Sequence, residues 1–591
     1  MGMAVTRVDE RVSVAVGMGG NAQPAFGNHE AVCGAGVLFL LPALLEQGLL
    51  KTKEVYRLPD NHYYGLVSVV LTLAFMALSR IKNPEQLKQC KPGEIGKIIG
   101  LDRSPEVKCL RDKIKLLSSQ KQAQQLNRLL VDDWYGNPSE ENLFLYIDGH
   151  VRIYYGSKAN LPAKFVSRQK LCLNATTEFW VNDPKGMPIM MVTGELTEKL
   201  VQSIENLIIP QLQKTNLLPA PGQGTGDRQT AQCGSEPQDK DIIPERQQKT
   251  GNEKEDNPQP QLTLVFDREG YDIPFFKRLW DSYQVAILTY RKNVRDTWPE
   301  DSFESIDVTV LEVTVKMQIC ERKVTLGGMA FREVRRLTDS GHQTSIITNN
   351  LLISTAVAAG RMFGRWSQEN FFRYMILDYD FDKMIEYGIQ PLDEKKAVIN
   401  PEYRKLNHKL KKEKEKTARL EAKLLRVVEE GLQVELDKMQ KILQKESDLA
   451  EKINQCRMNQ QQALTERDKL LPRITLKEMP DKTRYDQLKP ESKMLMNIVR
   501  MICYRAETAV ANILSEYTNN NNEKRMLVKN IIETNADIIE DSENKTLTIT
   551  LHSLSANRFN VAAAKLAEVL NQVETIFPDT GLRLIFKTTA T

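Results

Sequence analysis

The sequence predicts a multidomain α/β protein, on three observations. Its 591 residues exceed what a single core usually serves. Hydrophobic residues make up 41% and charged residues 27%, enough apolar side chains to fill several cores. Two short apolar runs that end in aspartate, LFLYID (143–148) and LTLVFD (262–267), lie among helical patterns, as strands of a mixed sheet do.

Charge and cysteine usage narrow the class. The 81 basic and 77 acidic side chains leave +4, which excludes a globally basic, histone-like binder but allows local basic faces. Eight cysteines, with no CxxC pair, argue against a zinc ribbon or a disulfide framework and suit a reducing cytoplasm. The longest apolar run, 66–78, is shorter than the ~20 residues of a membrane span, so no membrane association is expected. No secretory signal is visible, and no GxxxxGK[ST] loop points to ATP chemistry.

Taken in order, residues 1–30 read as a flexible tail and 31–138 as a helical region. Apolar density predicts buried helices over 37–50 and 64–81. A short helix ends at Gly100, and Ser104-Pro105 reads as the start of the next, with Ser as N-cap and Pro at the first position. That helix places Val107, Leu110, Ile114 and Leu117 on one face and Lys108, Arg111 and Lys115 on another. The outline fits a DNA-binding helix-turn-helix, and equally an ordinary helical hairpin with solvated lysines. Residues 143–156 predict a strand turning into a second, 177–196 a third, and 197–213 a helix. Residues 219–260, rich in Pro, Gly, Gln and charge, read as a disordered insertion. A strand (261–267), a helix (273–283) and a strand (285–290) follow, then a β-rich block over 303–348 and one long helix over 352–375. Residues 402–517 predict long, coiled-coil-like helix with Leu406, Leu410, Leu420 and Leu424 on one stripe, and 523–591 a small α+β region. Within 404–426 ten basic residues face three acidic ones; a solvated helix face is the first reading and a DNA-backbone role the second.

Metal-dependent phosphoryl transfer needs carboxylates converging on one spot, because hard divalent cations take oxygen ligands. Asp148 and Asp267 each close an apolar strand, where a carboxylate is costly unless paired or metal-bound. Glu369 lies between Arg365 and Arg373 at i, i+4, i+8, which reads either as a salt-bridge ladder or as a metal-binding glutamate flanked by phosphate-binding arginines. His150 reads as a strand cap or a phosphate contact, and Glu269 and Asp272 as turn residues or supports for Asp267.

The order YIDGH (146–150), VFDREGY (265–271), a β-rich block and RWSQENFF (365–372) resembles the DDE transposases of bacterial insertion sequences, in particular the group with a β-strand insertion before the glutamate. ILTYRKN (287–293) and ITNN (347–350) look like further landmarks of that family. The resemblance implies an RNase H-like core over 140–300 and 349–385, with Asp148, Asp267 and Glu369 as catalytic metal ligands for Mg²⁺, or Mn²⁺ as substitute. It further implies double-stranded DNA as partner, with Arg365, Arg373, Lys108, Arg111 and Lys115 as DNA contacts, self-association in a synaptic complex, and a bacterial-type, nucleoid-associated cytoplasmic location. The group's helix pattern also carries a tyrosine and a lysine, which here are Met362 and Ile376. The implied reaction cuts element-end DNA and joins the 3′-hydroxyl to target DNA. The alternatives are a catalytically inactive DNA-binding derivative and an RNase H-like nuclease without strand transfer.

Overall fold

The computed structural model describes residues 3–135, 143–194, 199–218, 260–310, 313–382, 388–390, 392–431, 436–518 and 521–589. The insertion expected over 219–260 falls almost wholly outside them.

The apolar runs do become strands. Leu143–Ile153, Leu262–Phe266 and Val285–Tyr290 form the parallel centre of a ten-stranded sheet. Leu143 to Ile147 pair with Leu262 to Phe266, and these with Val285 to Thr289. The helix Ile273–Tyr283 makes the crossover between the last two. Asp272 starts it, accepting a hydrogen bond from the Phe275 amide at 2.8 Å, so this carboxylate is a helix cap. Alternation along the strands divides the core: Leu145, Ile147, Leu264 and Phe266 pack on one face, and Phe144, Tyr146, Val265 and Leu288 on the other.

The β-rich block continues this sheet. Gln343–Thr348 pairs antiparallel with Val285–Tyr290, and Met329–Leu337, Val313–Leu326 and Glu304–Val310 follow in a meander. On the other side, Leu171–Asn182 pairs antiparallel with the Asp148 strand and itself takes Ala163–Val166 and Pro188–Gly194.

Several expectations need correction. No turn follows Asp148: the strand runs on through Gly149 to Ile153, so Asp148 lies inside it. The third strand, expected over 177–196, is a hairpin whose turn is held by Asp183 Oδ1, which accepts from the amides of Lys185 and Met187. The helix starting at Ser104-Pro105 begins instead at Val107, because the Tyr64 hydroxyl engages the carbonyls of Arg103 and Ser104. The buried helix over 37–50 is divided into Ala35–Leu40 and Leu41–Glu46, and the chain restarts at Leu49 after Gly48, whose φ of 85° suits glycine. The long helix over 352–375 is two, Thr355–Phe363 and Trp366–Tyr379. The first lies tight on Glu304–Val310: a Cβ on Gly360 would stand 2.5 Å from the Thr309 carbonyl, and one on Gly364 would stand 3.2 Å from a Val310 methyl. The chain breaks at Gly364, where that close approach ends.

The expected flexible tail is docked. Residues 8–15 form a helix, and Arg11 pairs with Asp102 while its guanidinium lies 3.8 Å above the Tyr63 ring. His29–Val32 then joins a second sheet with Ala536–Asp541, Thr546–Leu551 and Arg583–Thr588. The N-terminal helical region and the C-terminal α+β region, read as separate units, share one apolar cluster that also takes the helices Trp366–Tyr379 and Glu491–Ile513. The long helical stretch is two helices that pack on each other as a hairpin, Pro401–Gly431 against Leu436–Asp468. No single described helix is long and apolar enough to cross a membrane.

Candidate acidic site

Strand parity decides where the two aspartates point. Asp148 shares the face of Phe144 and Tyr146, and Asp267 that of Val265, each one residue past the last paired positions Ile147 and Phe266. Both carboxylates therefore leave neighbouring parallel strands on one face of the sheet. The helix Thr355–Phe363 covers that face, fixed by the Tyr146 hydroxyl donating to the Arg361 carbonyl at 2.8 Å. Where it ends, Arg365 Nη2 stands 3.7 Å from Asp267 Oδ2, and Arg365 Nη1 is buried without a hydrogen-bond partner.

Each aspartate also accepts a hydrogen bond from a nearby backbone amide, Asp148 within its strand and Asp267 at the turn that follows its own. Asp148 Oδ1 accepts from the Gly149 amide at 2.8 Å, and Asp267 Oδ1 from the Glu269 amide at 3.1 Å. Burial raises the Asp148 carboxyl above its ordinary pKa; Arg365 opposes the rise, and the charges of Asp267 and Glu269 add to it. Tyr290, on the next strand, is raised by burial, with Arg365 acting against the shift and Asp267 and Glu369 acting with it.

Glu369 is exposed in the first turn of Trp366–Tyr379, and Arg373 is exposed one turn further on. The ladder of Arg365, Glu369 and Arg373 on one helix is not what forms. The break makes Arg365 the residue that leads into the second helix, and its guanidinium turns to Asp267. Met362 is fully buried and Ile376 packs on the shared core, so the two positions that depart from the family pattern serve packing. Among the described residues no three His, Cys, Asp or Glu side chains are gathered closely enough to hold a metal ion as they stand. Asp148 and Asp267 thus share one sheet face on adjacent strands, and Glu369 stays exposed on the helix that follows Arg365. Their all-oxygen chemistry suits a hard divalent cation, and the Arg365 guanidinium now supplies positive charge beside Asp267.

Further along the same strand face, His150 does not cap a strand. Its Nε2 lies 2.5 Å from Asp382 Oδ1, and its ring stacks on Phe372 at 5.5 Å. Burial opposes ionisation of Asp382, but hydrogen bonds from His150 and Arg168 hold its carboxyl well below the usual range.

Sequence reasoning missed the polar cluster behind it. Glu178, opposite His150 in the antiparallel register, is fully buried. Its Oε1 is 3.3 Å from Arg152 Nη1, and its Oε2 accepts from Asn497 Nδ2 at 3.1 Å. Lys493, buried beside it, donates to the Phe381 carbonyl, and Arg500 donates to the Lys82 carbonyl at 3.0 Å. One signal was present: Lys493, Asn497 and Arg500 recur at i, i+4, i+7 in the segment 493–503, which is otherwise apolar. Lys108, Arg111 and Lys115 do form one exposed face of Val107–Ser119, but Arg111 is engaged by Glu85 at 2.6 Å.

A family model described as transposase protein matches residues 2–233 and 238–590. No curated protein matches the chain. A solved piggyBac transposase synaptic complex with hairpin DNA is 8% identical over 89% of each chain, with a TM-score of 0.29, too low a likeness to argue from.

Proposed function

The chain belongs to the transposase protein family, and from that premise we propose that it cuts DNA and joins the freed end to target DNA by metal-dependent phosphoryl transfer at Asp148, Asp267 and Glu369. The observation that carries this reading is the shared face of Asp148 and Asp267 on adjacent parallel strands, with a glutamate-bearing helix starting beside them. The three parallel strands, the helix Ile273–Tyr283 that joins the second to the third, and the antiparallel neighbour that extends the sheet from the Asp148 strand support an RNase H-like core.

In this reading Asp148 and Asp267 would hold Mg²⁺, or Mn²⁺ in its place, and Glu369 would complete the ligand set. The ions would activate the attacking oxygen and stabilise the leaving one. The protein's own part is positioning. The sheet holds two carboxylates at fixed separation, and the hydrogen bonds from Gly149 and Glu269 aim them. Arg365 balances the acidic pair before DNA arrives, its Nη2 standing 3.7 Å from Asp267 Oδ2. Exposed Arg373 sits one turn beyond Glu369, where it can follow the DNA backbone. Duplex DNA is the partner this chemistry requires, and self-association would bring two ends together.

The test is a cleavage assay beside a binding assay. Asp148→Ala, Asp267→Ala and Glu369→Ala are expected to abolish Mg²⁺-dependent cutting of element-end DNA while affinity changes little, because affinity comes mainly from cations on the phosphate backbone. Cutting at the wild-type rate by Glu369→Ala would remove that helix from the site. A wild-type protein that binds but never cuts would favour the inactive DNA-binding derivative.

A further inference from the structure

We propose that the helical hairpin carries a second DNA-backbone surface, a cationic rail along the helix Pro401–Gly431; the proposal rests on the transposase reading for the identity of the partner. The hairpin's inner seam uses Leu406, Leu410, Thr417, Leu420 and Leu424 against Ile453, Cys456 and Ala463 of Leu436–Asp468. Gln460 Nε2 donates to Thr417 Oγ1 at 2.6 Å, and Arg457 pairs with Glu421 at 2.8 Å, which fixes the register. Its base is tied down by the pairing of Ala397–Ile399 with Arg473–Thr475 and by Arg404, which donates to the Ala163 carbonyl at 2.9 Å.

Immediately ahead of each seam position lies the rail. Lys405, Lys409, Lys412, Lys416, Arg419, Lys423 and Arg426 recur at alternating spacings of four and three, and all seven are exposed. That is the same period as the seam, so the cations keep one flank of the hairpin along its length. Between Lys405 and Arg426 the carboxylates lie off this flank, and Glu402 and Glu430, at the same phase of the sequence, bound the rail at its two ends. Glu413 and Glu421 are half-buried at seam or near-seam positions, and Glu415 sits beside Lys411 at 4.0 Å. At 1.5 Å per residue the rail spans about 32 Å, close to one turn of B-DNA at about 34 Å. A row of like charges repels itself modestly in water, and a polyanion of matching length relieves that repulsion. An anionic membrane is the poorer occupant, because a surface-lying helix needs an apolar face for the bilayer, and here Leu410, Ile453, Cys456 and Ala463 are buried between the two helices.

The experiment uses full-length protein, EDTA to stop chemistry, and a 30-bp duplex titrated over salt. The triple variant Lys409→Gln, Lys416→Gln, Lys423→Gln removes three cations and keeps good helix formers. Its affinity is expected to fall about tenfold or more, with the log–log salt slope reduced by about 2–3 units. A matched control, Lys545→Gln, Lys565→Gln, Lys587→Gln, removes the same charge from the C-terminal sheet region and is expected to leave both quantities unchanged. Wild-type affinity and slope in the rail variant would overturn the proposal, as would an equal loss in the control. Loss of binding to phosphatidylserine vesicles with duplex binding intact would reassign the rail to a membrane and overturn it too. A wild-type protein that ignores duplex DNA altogether would defeat the transposase reading itself, whereas wild-type binding with an unaffected variant defeats the rail alone.

Discussion

At the scale of single residues, Asp148 shows how a functional carboxylate taxes its own fold. It is half-buried, next to Asp267 and Glu269, and its carboxyl is raised above the ordinary value of 3.8. An acid whose folded-state pKa exceeds its unfolded one subtracts stability as pH climbs through that interval and subtracts none below it. Asp148→Asn is therefore expected to raise Tm at pH 7 by on the order of 1 °C and to make no difference at pH 3, while ending cleavage. Calorimetry at the two pH values checks the sign. Asp102 is the opposite case. Burial opposes its ionisation, but Arg11 and the amides of Arg7 and Thr6 outweigh that and pull its carboxyl down to about 2. A depressed carboxylate lends stability above its unfolded pKa and loses it as pH falls toward the folded one. The N-terminal helix should accordingly loosen between about pH 4 and pH 2, and Asp102→Asn should loosen it already at neutral pH. Limited proteolysis of residues 1–25 reads both.

At the scale of elements, the broken helix decides the site. Had 352–375 been one helix, Arg365 would have stood in line with Glu369 and Arg373. The break sends it to Asp267 instead. Gly360 permits the close contact that leads to that break, since the Thr309 carbonyl lies where a Cβ would stand. Gly360→Ala should push the helix off its strand, costing about 1–3 kcal/mol by overpacking. Cleavage should fall more than stability explains, because the segment that aims Arg365 moves with it. Unchanged stability in a denaturant titration would show that the helix yields without cost.

At the scale of the whole molecule, the chain's two ends form one core. The Phe39 and Phe586 rings meet edge to face at 4.9 Å, and Phe26 meets Phe577 at 4.8 Å. The backbone at Gly36 leaves no room for a side chain against the Ile531 carbonyl. A fragment of residues 31–138, the helical DNA-binding unit that the sequence suggests, should not fold alone, because its apolar surface is completed by Glu491–Ile513 and the C-terminal sheet. Expressed separately it should be unfolded by circular dichroism, and co-expression with residues 485–591 should restore structure. A stable, folded fragment by itself would show that the shared core is dispensable.

The sequence by itself determined the elements whose period is strong and local: the apolar strands around Asp148 and Asp267, the β-rich block, the heptad-like helical stretch and the C-terminal strands. It also determined the candidate carboxylates, since an aspartate at the edge of an apolar run is visible without any partner. Only the tertiary structure decided which charges meet. The flank of the Glu178 cluster supplied by Arg152 and the flank supplied by Lys493 and Asn497 lie more than 300 residues apart, as the Glu178–Asn497 hydrogen bond spans 319 positions. The pairing of Arg11 with Asp102 and the docking of His29–Val32 on Ala536–Asp541 are likewise non-local. No window of sequence contains both halves of such contacts. Their free energy comes from desolvation and packing that exist only once the chain is folded, and it outweighs the local signals that read as a loose tail, an unbroken helix and separate domains.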